Sequence, residues 1–430
     1  MCMNVKSKVN FRCLYGKTFF ISLLFVVVLF SSCFISIFSN GVSPFALGAP
    51  DRVVGNEGEL RNAVNNAKGP TIIELDNDIK LTETLNIATN KDITLTSSKI
   101  VGFYKLIGAS HQGTLIVKDG GTLKIDGISV THLGDEEGSG VTVDSGGTLI
   151  LYNGEISGNT VSGVSLSVLI GGYSSYGGGV YNSGVFEMYG GKISNNLASI
   201  GSGGGVYNSG TFKLFGGEIS NNNATSGFST DSDSRGFGGG VYNMGAFTMS
   251  SGKITHNTAS LGGGVNNRGT FELSGGEVTN NAASGGGGIY NTHGVFTMSG
   301  GTISGNKAYY SGGGVYVHWS STFDRRDGVI SGNTVTKEDG EGKDVYTYSS
   351  SSGGSSGGNN GGSGSGDNSS GQSNGNGGES TGGSGTSNDN SFSLREVVII
   401  CIGVIGVTLA VVMAVLLFTA KTRWSIEAKM

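Results

Sequence analysis

GGGVYNSGTFKLFGGEISNN, residues 203–222, is the stretch whose reading decides the fold. A glycine turn leads into Val-Tyr-Asn, a second turn into the alternating Thr-Phe-Lys-Leu, and a third into Glu-Ile-Ser and an asparagine pair. The phrase is written six times, with its aliphatic residue at Val180, Val206, Val241, Val265, Ile289 and Val315. Successive copies lie 26, 35, 24, 24 and 26 residues apart. A period of roughly 20–50 residues marks a solenoid. Each period here carries strand alternation broken by glycine and no helical pattern, so the expected fold is all-β, a parallel β-helix.

Aligning the copies on the aliphatic residue of the GGxI segment tightens the register. Ile156, Ile193, Ile219, Ile254, Val278, Ile303 and Ile330 form one column. Three residues on, every copy has asparagine: Asn159, Asn196, Asn222, Asn257, Asn281, Asn306 and Asn333. Seven residues before the aliphatic stand Leu149, Phe186, Phe212, Phe247, Phe271, Phe296 and Phe323, followed two residues later by Leu151, Met188, Leu214, Met249, Leu273 and Met298. Residues two apart share one side of a strand, so these columns are expected to stack inside the coil. The asparagine column suits a tight bend, bonding its own backbone or the next coil and tolerating left-handed geometry. With strands about 4.8 Å apart, about nine to ten coils make a rod on the order of 45 Å long. Arg325 takes the Met/Leu slot of the last copy, as fits an open end that blocks further edge pairing.

The chain has 430 residues, 80 of them Gly and 3 Pro, without the every-third-residue glycine of collagen. Its net charge of −5 offers no basic stripe, so no nucleic-acid partner is expected. Cys2, Cys13, Cys33 and Cys401 all lie outside the repeats, whose stability must come from stacking and not from disulfides.

Both ends read as membrane signals. Lys6, Lys8, Arg12 and Lys17 precede an apolar run from Phe19 to Phe38, and Ala46-Leu47-Gly48 offers a small-residue cleavage site. Residues 1–48 therefore read as a signal peptide or an uncleaved signal anchor. Residues 397–418 carry no charge and, at 1.5 Å per residue, are long enough for a hydrocarbon core of about 30 Å. Lys421, Arg423 and Lys429 follow, which makes residues 419–430 a cytoplasmic tail by the positive-inside rule. The expected localisation is the cell membrane, single-pass, with the β-helix outside. Residues 51–112 read as an N-terminal cap and first strands, opening with a helix on which Leu60, Val64 and Ala67 share a face before Gly69-Pro70 stops it. Residues 113–345 hold the repeats, and 346–393 are a Gly/Ser/Asn-rich flexible linker.

Tyr181, Tyr207, Tyr242, Tyr290 and Tyr316 each follow the aliphatic of the glycine turn, so alternation sends them outward. Stacked, they would make an aromatic strip suited to sugars or protein surfaces, or a purely structural stack of cross-strand pairs. Asn266 interrupts the strip, and Asn182, Asn208, Asn243, Asn267 and Asn291 read as a second structural ladder. From ladder asparagine to the next aliphatic the gap is 8 to 10 residues in four coils, but 21 after Asn159 and 19 after Asn222. Insertions at one corner often mark a binding face, or a corner that tolerates length. Asn223 and Asn368 head glycosylation sequons.

Catalysis needs carboxylates within reach of one bond. Asp126 and Asp144 fall on different strands, Asp135-Glu136-Glu137 in a turn, and Asp324 and Asp327 in the terminal copy. Glu218 matches Glu277, and Glu187 matches Glu272, but neither pair sits on adjacent coils. Five scattered histidines, His111, His132, His256, His293 and His318, lack zinc spacing. Asp231 and Asp233 lack the ligand set of a calcium loop. The triple glycine has no P-loop context. No cofactor, no metal and no catalytic centre are expected.

GGGVYNSGTFKLFGGEISNNNAT resembles the repeats of right-handed parallel β-helix surface proteins, among them adhesin-like proteins of archaea and bacteria and the polymorphic outer-membrane-protein type. The resemblance covers roughly residues 53 to 336. GELRNAVNNAKGPTIIELDNDIKLTETLNI resembles the capping start of pectate-lyase-like β-helices. It implies a right-handed parallel β-helix displayed at a cell surface. The chain departs from the outer-membrane type in ending on an apolar segment instead of a β-barrel. The expected function is an adhesin-like, membrane-anchored protein binding glycan or surface partners. The alternatives are a polysaccharide lyase or hydrolase on the same scaffold and a non-binding structural envelope protein.

Overall fold

The computed structural model describes residues 48–99, 101–109, 111–134, 136–162, 176–225 and 236–349. The two apolar runs, the linker beyond residue 349, the four cysteines, Asp135, Asp231, Asp233, Asn368 and most of both insertions lie outside the described residues. Among the described residues no helix is long and apolar enough to cross a membrane.

The described residues wind into a parallel β-solenoid. One coil reads Val206–Asn208, Thr211–Leu214, Glu218–Ser220 and Asn223–Ala224, with a turn between each. Strands of one kind pair in parallel from coil to coil. The first kind builds a 10-stranded sheet and the last a 7-stranded sheet; the middle two share a 17-stranded sheet bent at the paired glycines. About ten turns follow: the six copies supply six, and Leu85–Ile87, Leu115–Val117, Val141–Val143 and Val345–Thr347 supply the rest. The pairing crosses residue 113 without a break, since Leu85–Ile87 lies beside Leu115–Val117.

The apolar columns stack inside, as the register requires. Phe186, Phe212, Phe247, Phe271 and Phe296 are fully buried. Their rings lie face to face, with centroids 4.7, 4.8, 4.6 and 5.0 Å apart, which is the strand spacing itself. Met188, Leu214, Met249, Leu273 and Met298 and the Ile column beside them are equally closed to solvent.

Two asparagine ladders run through this interior. In the first, each asparagine uses its Oδ1 to accept the backbone N–H and Nδ2–H of the asparagine one coil earlier. Asn222 N and Nδ2 donate to Asn257 Oδ1 at 2.9 and 3.0 Å, and Asn257 to Asn281 Oδ1 at 2.9 and 3.0 Å. Each Nδ2 also donates back to a carbonyl, as Asn257 does to Ile219 O at 2.9 Å. The positive φ belongs to the residue before the ladder asparagine: Asn195, Asn221, His256 and Asn280 all have φ of 56°. The left-handed geometry expected of the ladder residue is therefore one position earlier, where it turns the ladder side chain inward.

Both ends of this ladder are terminated. His132 Nδ1 lies 2.9 Å from Asn159 Oδ1, and its Nε2 lies 2.9 Å from the Gln112 carbonyl oxygen. At the other end Asn333 N and Nδ2 donate to Asp344 Oδ1 at 3.2 and 2.9 Å, so a carboxylate replaces the missing next asparagine. Asp344 stands where earlier coils have the third glycine of the triple. In those coils a Cβ is excluded by the ladder itself: at Gly264 it would meet Asn281 Nδ2 at 2.9 Å and Gly288 O at 2.7 Å.

The second ladder, Asn182, Asn208, Asn243, Asn267 and Asn291, is fully buried in the ten-stranded sheet. Nδ2 of each donates to Oδ1 of the next at 2.7 to 2.8 Å. Val143 and Val317 occupy its register at either end. Asn182 Oδ1 consequently faces apolar side chain and has no hydrogen-bond partner.

A helix, α1 (Glu57–Asn66), stands before the first strands, with Leu60, Ala63 and Val64 buried against the core. Asn56 caps it, its Oδ1 accepting Glu59 N–H at 3.0 Å. Burial works against the charge of Glu57, but the Thr82 N–H, Arg61 and the Thr82 hydroxyl outweigh it and hold the carboxyl below its ordinary range. Arg325 lies beside Met298 in the last coil, as the register implies, and is exposed, donating to Gly328 O at 2.8 Å.

Asn257→Ala removes the acceptor of two buried Asn222 donors and strips Ile219 O of one bond. At about 1–3 kcal/mol per orphaned buried group, it is expected to lower chemical-denaturation stability by about 3 kcal/mol. Asp344→Ala, at the half-open end where water can replace the carboxylate, is expected to cost about 1 kcal/mol. Equal losses would contradict the continuous ladder.

Candidate functional site

The tyrosine column faces away from the coil interior, yet it is not an open strip. Tyr207 is 8% exposed and Tyr242 5%; Tyr181, Tyr290 and Tyr316 are half-buried. Tyr176 stacks on Tyr207 at 4.8 Å, and Phe237 lies 6.0 Å from Tyr242. Both covering rings come from the returning ends of the two insertions. The Tyr207 hydroxyl lies 3.1 Å from Met244 Sδ, and Arg268 Nη1 donates to the Tyr242 hydroxyl at 3.3 Å. Burial, then the neighbouring tyrosines, push the phenols of Tyr207 and Tyr316 well up. Sequence alternation gave the side of the strand but not what lies over it. Asn266 splits the column, and Tyr346, which the repeat phrase does not include, extends its second half beyond Tyr316 at 5.2 Å.

The open aromatic column lies elsewhere, at the bend of the 17-stranded sheet. Tyr152, inside the bent strand Thr148–Ser157, and Tyr189 and Phe215, just past the strands Val185–Met188 and Thr211–Leu214, each stand one residue past the inward Leu151, Met188 and Leu214. Their rings stack at 5.5 and 4.8 Å, and Tyr189 and Phe215 remain 39% and 38% exposed. The glycines that follow them open a groove of about 440 Å³ lined by Gly191, Lys192, Gly217, Glu218, Lys253 and Glu277 among others. The floor must stay bare. Gly217 has φ +86°, and a Cβ there would meet Met188 Cε at 2.6 Å and Gly190 O at 2.7 Å. The aromatic column stands just before the glycines at one end of this groove, while the groove runs on past it to the coils of Lys253 and Glu277, where Ser250 and Ser274 take the aromatic's place. The aromatics before two of the glycine pairs, Tyr189-Gly-Gly and Phe215-Gly-Gly, were visible in the sequence. They were missed because they fall at a turn, outside the counted columns.

Tyr189 is tied to neighbouring charged groups. Its hydroxyl donates to Glu187 Oε2 at 3.1 Å, and Lys213 pairs with Glu187 Oε1 at 3.1 Å. Burial first, and then the Glu187 carboxylate, push its phenol up to about 12 from 10.0.

The other candidates stand apart. Asp126 lies in the strand Thr122–Thr131, while Asp144, just past the strand Val141–Val143 of the ten-stranded sheet, pairs with Lys118 at 3.0 Å. Glu136 meets Lys80 at 2.8 Å, and Glu137 lies 3.9 Å from His111. Asp324 pairs with Arg326 at 2.8 Å. Glu218 and Glu277 are two coils apart, with Lys253 between them. Among the described residues no group of three His, Cys, Asp or Glu side chains is placed to hold a metal. His293 and His318 lie 5.3 Å apart with their rings tilted, and burial, then His293, lowers the His318 imidazole. Asn223 is not within an insertion loop: it begins the short strand Asn223–Ala224, between Leu197 and Thr258. Its side chain is half-buried.

Because a raised phenol favours the protonated folded state, the Tyr189 contribution to stability is complete below pH 10.0 and is lost as pH rises from there to about 12. Glu187→Gln is expected to bring the Tyr189 titration, followed by ultraviolet difference absorbance, down towards its ordinary value. An unchanged titration would show that Glu187 does not act on it.

No protein-family model matches the chain, and no curated protein and no solved structure matches it.

Proposed function

We propose that the chain is an adhesin-like surface protein whose right-handed β-helix binds glycan along the bend groove. The single observation that carries this reading is the stacked, partly exposed aromatic column beside one end of a groove whose floor is backbone. Aromatic faces with polar tips suit the apolar faces and hydroxyls of sugar rings, and a solenoid presents such a site as an extended surface. The apolar runs at 19–38 and 397–418, with the Gly/Ser/Asn linker, support display outside a membrane on a single C-terminal anchor. The dispersal of the described carboxylates supports binding without turnover.

Glycan-array binding of the purified full chain tests the proposal. Tyr189→Ala and Phe215→Ala are each expected to weaken binding roughly tenfold, about 1.4 kcal/mol, while stability changes by no more than about 1 kcal/mol. Tyr207→Ala, by contrast, is expected to lower stability by about 3 kcal/mol because its ring is enclosed. Unchanged binding in both aromatic-column variants, or release of new sugar ends, would contradict the proposal.

A further inference from the structure

One column of the groove carries a pattern that cross-strand packing alone does not require. Glu155, Lys192, Glu218, Lys253 and Glu277 are register partners on five successive coils, with outward side chains of alternating sign. The next coil ends the series with Thr302. Opposite charges on neighbouring strands relieve repulsion, and Lys253 does pair with Glu277 at 3.3 Å. Lys192 and Glu218, however, enter no ion pair with each other or with any other group among the described residues, although both line the groove. Lys192 and Lys253 are exposed. The Lys192 charge remains open to a ligand, and Lys253, although paired with Glu277, stays at the surface within a ligand's reach.

The spacing states what that ligand carries. Like charges recur every second coil, roughly 9.6 Å apart at the strand spacing. A polymer lying along the rod, stacked on Tyr152, Tyr189 and Phe215 over the first three coils of the series, meets a cation at alternate steps and a carboxylate at the steps between. We infer that the groove takes a glycan of alternating disaccharide repeat, with one anionic sugar and one uncharged amino sugar per repeat. The uronate carboxylates pair with Lys192 and Lys253, and the amide N–H or hydroxyl of the intervening sugar donates to Glu218 and Glu277. A polymer charged at every residue would bring half its carboxylates against Glu218 and Glu277, where like charge disfavours it. A neutral polymer would leave both lysines unused. The inference rests on the groove being the glycan site.

Three probes separate the cases, measured calorimetrically against the full chain: a hyaluronan oligosaccharide, in which glucuronate alternates with N-acetylglucosamine; a polygalacturonate oligosaccharide; and a neutral chitin oligosaccharide. Hyaluronan is expected to bind at least tenfold tighter than either of the others, and to weaken with added salt. Glu218→Lys with Glu277→Lys turns the column uniformly positive and is expected to raise polygalacturonate affinity at least tenfold. If that variant does not fold, Lys192→Gln with Lys253→Gln is expected to reduce hyaluronan to the affinity of the neutral probe. Equal binding of all three, lost on Phe215→Ala, would overturn the alternation while leaving the glycan groove standing. Binding of none would overturn both.

Discussion

The hydrogen bond from one asparagine to the asparagine of the next coil is the constraint on which the rest of this structure depends. A bend that turns its side chain inward buries an amide, and a buried amide is costly unless both its ends are partnered. Stacking supplies the partners: each Oδ1 takes two donors from the coil before it, as Asn257 does from Asn222. The ladder then dictates residues that do not belong to it. The position before each asparagine must turn left-handed, which selects Asn, Gly or His. The third glycine of the triple must lack a Cβ, because the ladder amide occupies that space. Only where the ladder ends does that glycine become Asp344.

The second ladder adds register. Apolar columns of similar residues would tolerate some misalignment between coils, whereas five buried amides bond to one another in one alignment only. One orphaned acceptor, Asn182 Oδ1, remains where the amides meet Val143. A chain of donors and acceptors that runs in one direction must start somewhere, and here it starts against an apolar neighbour. The cost falls once, at the end of the series.

The coil interior was legible in the sequence because a repeat multiplies every weak signal. The Phe, Met/Leu and Ile columns and both asparagine ladders lie where period and alternation place them. What failed was inference about the outside. Alternation says that Tyr207 points out of the coil, but Tyr176 and Met244, brought there by other segments, decide that it is enclosed. Tyr189 and Phe215 were passed over for the converse reason: they sit at a bend, and only its geometry leaves them exposed in a stack. The left-handed site was misplaced by one residue, because Asn-Asn reads alike at either position. Asp344 went unread in the sequence, since nothing local marks a carboxylate as the end of an amide ladder.

Hydrogen exchange of the asparagine side-chain amides, followed by NMR, tests the ladder most directly. Amides bonded coil to coil can exchange only when the stack opens. The Nδ2 protons of Asn196, Asn222, Asn257, Asn281 and Asn306 are expected to exchange as slowly as the most protected backbone amides of the sheets. Asn86, exposed on its strand, is expected to exchange at the rate of a free side chain. Exchange of the ladder amides at the rate of Asn86 would contradict the account.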